Sequence, residues 1–297
     1  MDLQGLHLLL SYKCIFECDH CFVWGSPRQT GTMTVTQIRE ILRQGKELST
    51  IEWIYFEGGE PFLYYPILTS GVNVAQSLGF KVGVVTNAYW ATSKEDAVTW
   101  LAPLIGKVED LSISCDSYHT NEQLSVKASN AVSAAGELGV PVNLISIAQP
   151  EDMNRDRLAP DQSPLRYRGR AAEKLANGAR LHFWKQFTSC PHEELREPAR
   201  VHVDPFGYVH ICQGLSVGNL FTRPLKQIVE EYEAESHPLI SHLLEGGPAA
   251  LTEPQLMNTG YADACHLCFS ARKALRKRFP EFLAPGQMYG VEEDELS

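Results

Sequence analysis

The first half of this chain repeats one unit. Apolar, β-rich stretches begin near Leu6, Ile51, Phe80, Val108 and Val142, so successive starts are 45, 29, 28 and 34 residues apart. Helical patterns lie between them. Thr34-Val35-Thr36-Gln37 reads as a capping box, with Met33 and Ile38 placed as its hydrophobic staple. Ile38, Ile41, Leu42 and Leu48 mark one helical face, and Leu124, Ala128, Ala131, Ala135 and Leu138 mark another that stops at Gly139. Ser93 is placed to cap a third, which buries Ala97, Trp100, Leu101 and Leu104. Strand and helix alternating about every 30 residues imply βαβ units and a parallel sheet, in either a doubly wound or a barrel arrangement. After about Gly178 the rhythm changes. Val201 to Ile211 alternates around Pro205-Phe206-Gly207 as a hairpin, and Pro224 to Glu235 reads as a short amphipathic helix. The expected division is an α/β unit over 1–180 and a smaller α+β unit over 181–297.

Charge and cysteine content then narrow the function. With 26 basic and 36 acidic residues the formal charge is −10. That excludes a free-standing nucleic-acid binder, which needs a basic face. No apolar run approaches the ~18–20 residues of a membrane span. The start, Met1-Asp2-Leu3-Gln4, lacks the basic region of a secretory signal, so a cytoplasmic protein is expected. The acidic run Glu292-Glu293-Asp294-Glu295 reads as a frayed end. Eight cysteines in a reducing compartment point to metal ligation or redox chemistry rather than disulfides.

Three of them, Cys14, Cys18 and Cys21, follow immediately on the first strand. In a parallel α/β sheet the reactive edge is where strands finish, which puts this loop at the functional end. Three thiolates at these spacings suit three corners of an iron–sulfur cube and leave one iron open. A zinc knuckle completed by His20 is the alternative. The second strand ends in Glu57-Gly58-Gly59-Glu60-Pro61. Its glycines allow a ligand to approach the backbone, and Glu60 supplies a carboxylate suited to an ammonium group.

Together these segments resemble the radical S-adenosylmethionine superfamily, marked by C-x3-C-x2-C after strand one and G-G-E-P after strand two. The resemblance implies a partial (β/α)6 barrel and a [4Fe–4S] cluster on Cys14, Cys18 and Cys21. It also implies S-adenosylmethionine on the open iron, cleaved reductively to a 5′-deoxyadenosyl radical that takes hydrogen from substrate. Glu60 and the backbone of Gly58 and Gly59 match the family's contacts to the methionyl amine. Ser114, in Ser114-Cys115-Asp116, and Asn87 match positions that line the same cavity. His20 departs from the usual Tyr or Phe before the third cysteine and is expected to cover the adenine. Cys115 is expected to pack under a helix. Tyr118 and His119 are placed either to donate a proton or a hydrogen atom near the cavity mouth or to lie on a solvated loop, and neither is named catalytic.

Cys190, Cys212, Cys265 and Cys268 fall in the second part, the last two as C-x2-C. Their spacing alone fits zinc or iron–sulfur. The Asp204-Pro205-Phe206-Gly207 hairpin, Cys212, Gly218-Asn219, the late C-x2-C and the preceding Arg168-Gly169-Arg170-Ala171 resemble the twitch domain, a shortened SPASM extension. That resemblance implies a fully ligated second [4Fe–4S] cluster used for electron transfer. The resulting expectation is an oxidoreductase acting on an alcohol-bearing small molecule, with an external electron donor such as flavodoxin or ferredoxin. A peptide or protein maturase is the alternative, made less favourable because only 13 residues precede Cys14. A non-catalytic zinc or electron-carrier protein is the alternative of another class.

Overall fold

The computed structural model describes residues 1–119, 122–154 and 158–291; the acidic run 292–295 and the side chain of Leu124 lie outside them. The elements run β1 (Gly5–Ser11), α1 (Val35–Glu47), β2 (Trp53–Gly58), α2 (Tyr65–Ser77), β3 (Lys81–Thr86), α3 (Lys94–Leu101), β4 (Asp110–Ser114), α4 (Glu122–Leu138) and β5 (Val142–Ile145). There follow α5 (Pro150–Asn154), α6 (Arg170–Lys174), β6 (His182–Phe183), β7 (Arg200–Val203), β8 (Tyr208–Cys212) and β9 (Leu215–Asn219). The chain closes with α7 (Leu225–Glu230), α8 (Ile240–Ala250), β10 (Gly260–Tyr261) and α9 (Ala264–Leu275).

Local chemistry sets the helix starts. The Thr34 hydroxyl accepts from Gln37 N while the Gln37 side chain accepts from Thr34 N, completing the capping box at α1. Ser93 caps α3 through Asp96 N. Such caps contribute about 0.5–2 kcal/mol each. Ile38, Ile41 and Leu42 then turn the apolar stripe of α1 onto the sheet.

Strands β1 to β5 are parallel and adjacent in the order β5-β4-β3-β2-β1. An isolated parallel bridge from Ile147 to Ser163 stands where a sixth strand would lie. The helices cover one face, against which Leu6, Leu8, Leu10, Ile54, Phe56, Val82, Val84, Leu111 and Ile113 are fully buried. The opposite, concave face carries the alternate residues.

The division expected near residue 180 is not a break in the sheet. Strand β7 pairs in parallel with β1, matching Leu6 to Val201 and His7 to His202, and β8 and β9 continue antiparallel. The hairpin expected in a separate unit therefore completes the edge of the first one. The edge of β1 from Gly5 to Leu8 is thereby covered, and an open strand edge beside so apolar a core needs such cover. Among the described residues no helix is long and apolar enough to cross a membrane.

Candidate active site

Beyond β1 the chain turns into the cysteine loop. Cys14 is buried, while Cys18 and Cys21 are half-buried. Backbone N–H groups point at two sulfurs, Phe16 N at 3.4 Å from Cys14 Sγ and Gly25 N at 3.1 Å from Cys21 Sγ. Asn87 Nδ2, at the end of β3, lies 3.6 Å from Cys14 Sγ. Burial pushes the Cys14 thiol up to about 12 and the Cys18 thiol further, and neighbouring thiols add to both shifts. Holding these as thiolates requires a positive centre, and N–H donors aimed at sulfur are what a cluster-bound thiolate accepts. The residues fit an iron–sulfur cluster.

The Gly-Gly turn is packed closely against the end of β1. Gly59 N donates to Ser11 O at 2.6 Å and Glu60 N to Lys13 O at 3.0 Å. A Cβ on Gly59 would stand 2.2 Å from Lys13 O, and Gly58 sits at φ +132°. The approach that the glycines permit is therefore that of the cysteine loop's own backbone.

Glu60 is also turned inward. Its carboxylate is fully buried and accepts from Phe62 N at 3.0 Å, Thr86 Oγ1 at 2.8 Å and Asn87 N at 2.8 Å. Burial raises its pKa to about 7 against these donors. The group knits the end of β2 to the end of β3, where the sequence suggested a free carboxylate aimed at an ammonium. Glu60→Gln should accordingly destabilise the folded protein itself. A neutral amide sets its NH2 against a backbone donor and loses a charge-assisted bond, at a cost of about 1.5–3 kcal/mol. Urea unfolding of the variant checks this, and an unchanged midpoint would contradict it.

At the end of β4, Ser114 is half-buried and paired in register with Ile145. The residues beyond it are not a solvated loop. Asp116 is buried, with Oδ1 at 2.8 Å from His119 Nδ1 and Oδ2 at 3.6 Å from His20 Nε2. His20 stacks on Tyr118 at 4.5 Å, and Tyr118 donates to Ala148 O at 3.1 Å. Burial holds the His20 imidazole down at about 4, so it is neutral at pH 7. These contacts hold His20 against the β4 end, where the sequence reading had it covering an adenine. Cys115 is half-buried, and burial raises its thiol.

Sequence reasoning used Arg170 only as a junction marker and missed its role. Its guanidinium donates to Cys18 O at 2.7 Å and Gly25 O at 2.8 Å, and its backbone N to Cys21 O at 2.9 Å. Gly169, at φ +59°, lets α6 meet the loop, since a Cβ there would stand 2.6 Å from Cys21 O. The signal was present as Gly-Arg-Ala, but nothing local says which carbonyls an arginine 150 residues away will take. Arg170→Ala should leave those carbonyls unpaired and loosen the loop. The expected result is loss, after desalting, of about four irons, those that the first cysteine loop would hold. Full iron content in the variant would show that the clamp is dispensable.

The second cysteine set comes together from three places. Cys190 lies in the loop before β7, Cys212 ends β8, and Cys265 and Cys268 occupy the first turn of α9. Asp263 caps that helix by accepting from His266 N at 2.7 Å, and a helix N-terminus favours thiolates. The four thiols are near enough to perturb one another, and burial raises Cys268 to about 11. Arg272, one turn further, is buried among them. It donates to Gln213 O at 2.9 Å and reaches Cys212 Sγ at 3.9 Å. A buried guanidinium needs anionic company, which thiolates supply.

Comparison with known proteins agrees with this geometry. The Radical SAM superfamily model matches residues 8–154. The chain is similar to the putative peptide biosynthesis protein YydG of Bacillus subtilis (strain 168), 32% identical over 111 residues, which are 37% of this chain and 35% of that protein. It is also similar to an S-adenosylmethionine-dependent nucleotide dehydratase of Selenomonas ruminantium, 28% identical over 127 residues, 42% of this chain and 43% of that one. The chain thus spans well under half the length of these curated relatives. Among solved structures, BtrN in complex with AdoMet and 2-DOIA superposes with a TM-score of 0.53 at 14% identity, covering 88% of this chain and 94% of that one. At that identity the likeness is one of fold.

Proposed function

The chain carries a radical SAM domain over residues 8–154, and from that premise we propose that it is an oxidoreductase with a second, auxiliary [4Fe–4S] cluster. The observation that carries this reading is the paired arrangement of cysteines: three on a clamped loop at the strand ends, and a second set in which Cys212, Cys265 and Cys268 lie beside buried Arg272 and Cys190 lies near Cys212 and Cys268. With a [4Fe–4S] cluster and S-adenosylmethionine bound at the first set, the chemistry supplied is hydrogen-atom abstraction by a 5′-deoxyadenosyl radical. The chain's own part is to hold and shield. Asn87 and the N–H groups of Phe16 and Gly25 support the sulfurs, Arg170 holds the loop, and the Glu57-to-Glu60 turn packs against it.

At the second set, Cys190, Cys212, Cys265 and Cys268 would ligate a closed cluster able to accept the electron that substrate oxidation releases. Arg272 supports an accepting role, since a buried cation favours the more negative, reduced state. An alcohol-bearing small molecule is the proposed substrate, in a cytoplasmic setting, with a flavodoxin or ferredoxin as donor. A peptide substrate is the second reading, favoured by the Bacillus relative's description. Iron and sulfide analysis of anaerobically purified protein, with an assay for 5′-deoxyadenosine, tests the proposal. About eight irons per chain and reductive cleavage are expected. Four irons would remove the auxiliary cluster, and no cleavage would remove the activity.

A further inference from the structure

On the face of the sheet opposite the helices, three adjacent parallel strands bring together His7 of β1, Glu57 of β2 and His202 of β7, a cluster that contains none of the cysteines. We propose that these three side chains form a site for a divalent transition-metal ion. Strand alternation sets their direction. Phe56 faces α2, where it lies over Gly71, and Leu6 faces α1 at Gly45, so His7, Tyr55, Glu57 and His202 share the opposite surface.

Their atoms converge. His202 Nε2 is 3.0 Å and His7 Nδ1 3.3 Å from the same carboxylate oxygen, Glu57 Oε1. Metal–ligand bonds of about 2.0–2.2 Å place neighbouring ligand atoms roughly 3.0–3.5 Å apart, so these separations suit edges of a coordination polyhedron. The two imidazoles hold the buried Glu57 carboxyl below the usual carboxylate range against the cost of burial. Their approach is nevertheless poorly directed for hydrogen bonding, and Glu57 Oε1 and His7 Nδ1 are buried without a partner in hydrogen-bond geometry. Buried polar atoms are seldom left so, and Glu57 and His202 are only 9% and 6% exposed. A shared cation would satisfy Glu57 Oε1 and His7 Nδ1 at once, with His202 Nε2 as its third ligand atom.

The surroundings support fixed ligands and an open side. Tyr55 stacks on His7 at 4.7 Å and is anchored through its hydroxyl to Asp110 Oδ2 at 2.9 Å. Phe22 packs against the His202 ring. Outer contacts of this kind orient ligating histidines. The His7 side chain keeps 19% of its surface although its Nδ1 is buried, so the cluster opens on that side toward the concave space. Two imidazoles and one carboxylate with open positions suit zinc or ferrous iron, with an oxygen-bearing group of a substrate as the ligand to complete the shell.

The site needs none of the cysteines, so it stands or falls apart from the radical SAM reading. Zinc is the probe. Protein loaded anaerobically with iron and sulfide is incubated with Zn2+ and desalted, then zinc is counted and its K-edge absorption recorded. The expected result is about one zinc per chain with nitrogen and oxygen neighbours at about 2.0–2.2 Å and unchanged iron. Glu57→Gln and His7→Gln should each weaken zinc retention at least about tenfold, since outer-shell changes alone cost 10–100-fold. No zinc in the parent protein, or sulfur neighbours at about 2.3 Å, would overturn the proposal whatever the variants do. Full retention in a Glu57→Gln protein of normal iron content would overturn it too.

Discussion

Replacing Cys14, Cys18 and Cys21 together with alanine is expected to abolish 5′-deoxyadenosine formation and to remove about four irons and four sulfides per chain. The reasoning rests on where these thiols sit. The loop is fastened by Arg170, by the Gly59 and Glu60 backbone and by the sulfur-directed N–H groups, so the fold survives losing the thiols themselves. Buried sulfurs raised this far give up unfavourable desolvation when they become alanine. Circular dichroism and thermal unfolding should stay close to the parent while activity disappears. Continued cleavage of S-adenosylmethionine in the triple variant would show that the central assignment is wrong.

Losing Cys268 should separate two activities. If the second cysteine set holds an electron-accepting cluster, Cys268→Ala should still form 5′-deoxyadenosine, because that step depends on the first loop. The ratio of oxidised product to 5′-deoxyadenosine should fall at least about tenfold, the scale of one lost ligand or its support. A folding role predicts a different pattern. Metal binding that stabilises a fold makes its loss a loss of structure, and both activities would then drop together with a melted C-terminal region. Arg272 complicates the alanine variant, since removing an anionic partner leaves a buried cation under-compensated, at a cost of about 3–5 kcal/mol for a broken pair. Cys268→Ser keeps a polar atom beside it and is the milder control. Unchanged coupling in both variants would sink the acceptor role.

Much of the fold was legible because it is written locally. Strand starts fall within two or three residues of the apolar runs, and the Thr34 and Ser93 caps form as their side chains dictate. The cysteine loop follows β1 as its spacing implied. What stayed hidden depends on partners far away in the chain. The place of β7 beside β1 joins residues 195 apart, and no periodicity in either strand announces it. Arg170 is likewise an ordinary helix residue until the loop folds onto it. The Glu60 partners Thr86 and Asn87 stand at the end of the neighbouring strand, and nothing in the Gly-Gly-Glu-Pro segment announces them. His7, Glu57 and His202 share no motif at all; only strand register assembles them.

The pairing of β7 with β1 also bears on how the protein can be made. During synthesis β1 emerges first, yet one of its two edges stays uncovered until about residue 203 has left the ribosome. For that interval the chain presents Gly5 to Leu8 on an open parallel strand, an arrangement prone to mispairing with another copy. A fragment ending near residue 180 would keep that liability permanently. Strand β7 therefore does for the nascent chain what a chaperone would otherwise have to do: it withdraws an adhesive edge from circulation.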